Sequence, residues 1–101
     1  MKKQIIHHIA PKDKKLWHPL WSKCYNSWKQ NFKNTDNIEF KLWNDKEDIN
    51  NLVKNNYSKD IYDIYNSFQV HIMKIDFARL CILDLYPGIY SDMDVYCYND
   101  F

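Results

Sequence analysis

The apolar positions fall into short blocks whose period changes along the chain. Residues 4–10, QIIHHIA, form a β-branched run closed by Pro11 and predict a first strand. After the polar loop PKDKK, Pro19 suits the first turn of a helix. Leu20, Trp21, Cys24, Tyr25, Trp28 and Phe32 then recur at three-to-four spacing as one apolar stripe. KNTDN breaks that helix, and IEFKLW alternates as a second strand, with Ile38, Phe40 and Leu42 against Glu39 and Lys41. Ile49, Leu52 and Val53 mark a modest amphipathic helix, whose start Asp45, Glu47 and Asp48 are expected to cap. Ser58 and Asp60 open another, with Ile61, Ile64, Tyr65 and Phe68 at helical spacing. VHIMKIDFARLCILDLY is apolar around most of its circumference and predicts a buried helix that stops at Pro87 and Gly88. IYSDMDVYCY follows as a third strand. This order, β-α-β-α-α-α-β, predicts an α/β fold with a mostly parallel sheet and helical crossovers.

Composition narrows the class without naming a function. A chain of 101 residues holds one domain, and 46% apolar with 17% aromatic residues gives it a packed interior. A net charge of +1, with both signs interspersed, offers no electrostatic case for nucleic acid or an anionic membrane. No segment approaches the roughly 20 apolar residues of a membrane helix, and the opening residues do not read as a signal peptide. Cys24, Cys81 and Cys97 show no zinc-site spacing and read as reduced thiols, so a soluble, cytoplasmic protein is expected.

Two places can carry chemistry. On an extended strand Asp92 and Asp94 would share a face, about 7 Å apart, with Tyr90, Tyr96 and Tyr98. Two carboxylates at the carboxyl end of a strand can hold a hard divalent cation, Mg²⁺ or Mn²⁺, that also takes diphosphate oxygens. The alternative is a solvent-facing loop. Asp76 and Arg79 lie at i and i+3 on the last helix. They are either a simple intrahelical ion pair or a polar couple held toward a ligand. Arg79 is the only arginine in the chain, and its guanidinium offers a bidentate geometry that lysine lacks. His7 and His8 point to opposite faces of a strand and cannot chelate one ion together. His71 reads as a helix-surface residue, and Trp17, Trp21 and Trp28 as core.

Taken together, IIHHIA, FKLWND and IDFARLCILDLYPGIYSDMDV resemble the glycosyltransferases of the DXD sugar-binding family, which includes yeast-type initiating mannosyltransferases. The spelling is closest to members from large DNA viruses. The resemblance runs from about residue 4 to the end. It implies a GT-A, Rossmann-like domain of which residues 1–101 are the N-terminal, nucleotide-sugar-binding part. It implies a UDP- or GDP-sugar donor and transfer of a hexose. Asp76, Arg79 and Tyr90 would contact the ribose, sugar or phosphate region, and Asp92 the ribose and donor sugar. Asp94, with Asp92, would coordinate Mn²⁺ or Mg²⁺ at the diphosphate, and His8, Ile9 and Ala10 would line the base pocket.

Three departures bear on that expectation. Ala10 stands where the family has a tryptophan, which removes about 1–3 kcal/mol of base stacking if such values transfer. Pro87 and Gly88 replace a Gly-Gly turn, fixing one φ and deleting one amide donor. The sequence ends seven residues after Asp94, whereas the family's catalytic domains continue. A C-terminally truncated member is therefore expected. It would carry an uncovered sheet edge and apolar surface, and would associate with itself, by that edge or by segment exchange. Two functions remain open. One is a metal-dependent glycosyltransferase; the other is an inactive remnant serving as a nucleotide-sugar-binding or self-associating module. For a viral chain the host cytoplasm or virus factory is the expected location.

Overall fold

A computed structural model describes residues 3–98. Its core is a parallel three-stranded sheet in the order β2-β1-β3, formed by β1 (Gln4–Ala10), β2 (Ile38–Asn44) and β3 (Gly88–Tyr90). Helix α1 (Pro19–Phe32) joins β1 to β2. Helices α2 (Glu47–Asn56), α3 (Lys59–Ser67) and α4 (His71–Leu85) join β2 to β3. The expected α/β architecture with helical crossovers is what forms.

β1 sits between its two partners and is covered on both faces, so its last five residues are all buried. Ile6, His8 and Ala10 face α1, where they meet Trp28, Tyr25 and Phe32. Ile9 faces the other way, into a core with Trp43, Ile49, Leu52, Val53, Tyr65, Ala78 and Ile82. His7 turns to that same side and accepts a hydrogen bond at Nδ1 from Trp43 Nε1, 3.1 Å away. That leaves Nε2 as the protonated nitrogen, which donates to the Tyr86 carbonyl at 2.8 Å. His7 therefore ties the middle of β1 to the turn that launches β3.

The turn into β3 also explains the only glycine. A Cβ on Gly88 would lie 2.2 Å from the Ile5 carbonyl oxygen, closer than any side chain can come. Three local expectations are corrected. Helix α4 is not buried around its circumference. It buries Ala78, Cys81 and Ile82, and leaves Ile72, Met73 and Leu80 exposed, because only one of its faces reaches the core. The third strand ends at Tyr90 rather than running through Tyr98. At the start of α2 Asp48 takes part as expected, its Oδ2 accepting from the Asn44 amide, but the group that accepts from the Asp48 amide is Asn44 Oδ1, ahead of the helix and not among the expected caps.

Candidate functional site

The carboxyl ends of β1 and β3 and one side of α4 enclose a hollow of about 270 Å³. In open α/β sheets this is where ligands bind. Its lining brings together Asp76, Arg79, Tyr90, Asp92 and Asp94 with Ile9, Trp21, Ile72, Ile75 and Met93.

Each polar group arrives from a different local cause. Asp76 and Arg79 are one helical turn apart on α4, and Arg79 Nη2 donates to Asp76 Oδ1 at 2.5 Å. The same guanidinium lies 5.2 Å above the Tyr90 ring and holds Nη1 3.9 Å from Asp92 Oδ1. The intrahelical ion pair thus also lines the hollow, since Arg79 spans from its own helix to the segment after β3. Burial pushes the Tyr90 phenol up from its ordinary value; the charge of Asp92 adds to this and Arg79 opposes it. The hydroxyl stays protonated at neutral pH and can donate.

Asp92 and Asp94 do not lie on a strand. Ser91 makes one last sheet-like bond, its amide donating to the His7 carbonyl at 3.0 Å, and the chain then leaves the sheet. The Val95 amide donates to the Asp92 carbonyl at 3.1 Å and closes a turn, so strand spacing does not set the distance between the carboxylates. They still share a side. Ser91 and Met93 point inward, 5% exposed each, while Asp92 and Asp94 are exposed.

Of the three residues expected at the end of β1, Ile9 alone reaches the hollow. His8 and Ala10 face α1 and are enclosed there, because alternation along β1 sends them to the opposite side of the sheet from Ile9. Sequence reasoning missed Trp21, which it placed in the core. Trp21 is half-buried against the cluster of Ala10, Trp17, Tyr25 and Met93, and it also lines the hollow. His71 opens α4 at the surface, 3.2 Å from Asp45, beside a separate hollow that Lys46 and Lys74 also line.

The hollow sets three carboxylates against one guanidinium. A diphosphate entering it meets net negative charge unless a cation accompanies it. Asp92 and Asp94 offer hard oxygen donors of the kind Mg²⁺ and Mn²⁺ take, usually one or two carboxylates with phosphate and water completing the shell. Among the described residues no group of three His, Cys, Asp or Glu side chains gathers to hold an ion, so such an ion would depend on the diphosphate for further ligands. Among the described residues, too, no helix is long and apolar enough to cross a membrane.

The family described as the glycosyltransferase sugar-binding region containing a DXD motif matches residues 19–101. The chain is 33% identical over 88 residues to an uncharacterised glycosyltransferase of Acanthamoeba polyphaga mimivirus, across 79% of this chain and 35% of that protein. It is 35% identical over 94 residues to inositol phosphoceramide mannosyltransferase 1 of Schizosaccharomyces pombe, across 93% of this chain and 28% of that protein. The chain thus spans about a third of the length of these curated relatives. No solved structure matches.

Proposed function

This chain belongs to the glycosyltransferase family whose sugar-binding region contains a DXD motif, and from that premise we propose that residues 1–101 are the nucleotide-sugar-binding part of a metal-dependent glycosyltransferase. One observation carries the reading: Asp76, Arg79, Tyr90, Asp92 and Asp94, from two separate segments, converge on a single hollow at the carboxyl end of a parallel sheet. The donor is a UDP- or GDP-sugar, from which a hexose passes to an acceptor hydroxyl.

Arg79 and the Tyr90 hydroxyl are the donors that face the phosphate and sugar. Asp76 holds the guanidinium in orientation, and Asp92 accepts from ribose or sugar hydroxyls. Ile9, Ile72 and Trp21 give the hollow apolar walls. Asp94 and Asp92 are the residues that would hold Mn²⁺ or Mg²⁺, and such an ion would supply positive charge beside a nucleoside diphosphate. The protein works in the cytoplasm, in keeping with three cysteines that are all free thiols.

A thermal-shift series tests this. With Mn²⁺ and UDP or GDP at a hundredfold excess over Kd, stabilisation reaches about 2.7 kcal/mol. For a domain of this size that is more than about 10 °C in Tm. Chelation should abolish the shift and Arg79→Lys should shrink it. No shift with any nucleotide or nucleotide-sugar overturns the donor reading.

A specific observation favours a second role. Both outer strands pair only with β1 among the described residues, and α4 leaves Ile72, Met73 and Leu80 exposed. A self-associating module, with a second copy on those surfaces, follows from this. Light scattering at micromolar concentration should then report a dimer; a clean monomer removes the idea.

A further inference from the structure

Helix α1 covers one sheet face, and its second half also grips the backbone that follows the paired carboxylates. Trp28 Nε1 donates to the Val95 carbonyl at 2.9 Å, and Asn31 Nδ2 to the Cys97 carbonyl at 2.8 Å. The Cys97 amide donates to Ser27 Oγ at 2.8 Å, in a buried contact. Two of these side chains are themselves oriented by the helix. Ser27 Oγ donates to the Cys24 carbonyl, and Asn31 Nδ2 also donates to the Ser27 carbonyl.

Residues 92–98 have left the sheet, so these side-chain bonds stand where ladder bonds would otherwise satisfy the backbone. On the other side of the same turn, Met93 is sunk beside Trp17 and Tyr25. The turn bearing Asp92 and Asp94 is therefore fastened within itself by Met93 and downstream by α1, while both carboxylates remain exposed.

We propose that Ser27, Trp28 and Asn31 are positioning residues that fix the separation and direction of Asp92 and Asp94. The inference rests on the donor-site reading and deepens it. Where two carboxylates among the described residues serve the ion, its affinity depends on how rigidly that pair is held. Losing an outer partner of a metal ligand typically weakens binding by 10- to 100-fold; Ser27 and Asn31 hold the backbone of Cys97, three residues past Asp94, so their loss should fall at the low end of that range.

The test compares Ser27→Ala and Asn31→Ala with Asn31→Gln, which keeps the amide, and with Asn26→Ala, an exposed position on the same helix outside the grip. Deuterium exchange reads the amides of residues 94–97. Electron paramagnetic resonance reads Mn²⁺ uptake with UDP or GDP present. Both alanine variants should exchange faster at Val95 and Cys97 and bind Mn²⁺ about tenfold more weakly. Asn31→Gln should recover most of the loss, and Asn26→Ala should match the parent. The amides of β1 report whether a variant still folds. Asn31, at a half-buried position, carries the comparison should Ser27→Ala unfold. Unchanged exchange overturns the grip. Faster exchange with unchanged Mn²⁺ affinity overturns the positioning role while the donor reading stands. A parent chain that takes up neither ion nor nucleotide overturns the donor reading first and this inference with it.

Discussion

His7 and His8 are consecutive on β1 and both are fully buried, yet the two faces of the sheet treat them in opposite ways. On the α4 face, His7 uses both ring nitrogens, one toward Trp43 and one toward the Tyr86 carbonyl. Lys41 caps that cluster, its ammonium 4.4 Å from the Trp43 ring and 4.5 Å from that of Tyr86. On the α1 face, neither nitrogen of His8 has a hydrogen-bond partner among the described residues. Its ring sits edge-on to Tyr25 and Trp28, with centroids 5.0 and 5.9 Å away. One histidine is a joint and the other is a filler. The joint sets where β3 begins, and so where Tyr90, Asp92 and Asp94 stand. The filler contributes shape at the cost of a desolvated imidazole.

The largest break in this contrast should come at the joint from the β3 side. Gly88→Ala drives a methyl into the Ile5 carbonyl, so β3 must move off β1; a loss of about 4 kcal/mol is expected in urea unfolding, with weakened nucleotide binding. Next comes acid. Burial lowers the His8 pKa from 6.5 to about 4, and the nearby His7 adds to that. The unfolded chain therefore binds the proton more readily. Stability is complete above pH 6.5 and falls as pH drops toward 4, by about 3 kcal/mol from this group. His7 is lowered too, mainly by burial, and adds in the same direction. His7→Leu should cost about 2 kcal/mol at pH 7.5, because it strands the Trp43 indole N–H. The smallest effect sharpens the contrast most. His8→Leu should gain up to about 1 kcal/mol at pH 7.5 and flatten the acid limb of the stability curve. A loss on His8→Leu as large as that on His7→Leu would mean the two faces are alike.

The periodic segments were legible because local pattern and tertiary packing agree there. β1, the α1 start at Pro19 and the Ser58 cap of α3 fall where the spacing places them. What was misread depends on the register and coverage of elements far away in sequence. The alternation in IYSDMDVYCY holds at Ser91, Met93 and Cys97, which are buried, and breaks at the exposed Val95, where the turn closes; alternation does not say what lies beneath. The beginning of the segment rests on β1; the remainder rests on α1, where side chains rather than a neighbouring strand satisfy its backbone. α4 is apolar around its circumference in composition, but one of its faces is covered and another is not, and no local signal marks which. His8 and Ala10 lie at the carboxyl end of β1, beside Ile9, but their parity sends them to the α1 side. Trp21 looks like its neighbours on the α1 stripe, and only the position of the turn after β3 opens its edge to the hollow.

The bonds from α1 to the segment after Asp94 bridge 66, 67 and 70 residues of chain. Contacts of such high contact order close late in folding, after the loop entropy of the whole intervening crossover has been overcome. During synthesis on the ribosome, β1 and α1 emerge together and can associate early. The carboxylates acquire their final placement only once the chain as far as Cys97 has left the exit tunnel.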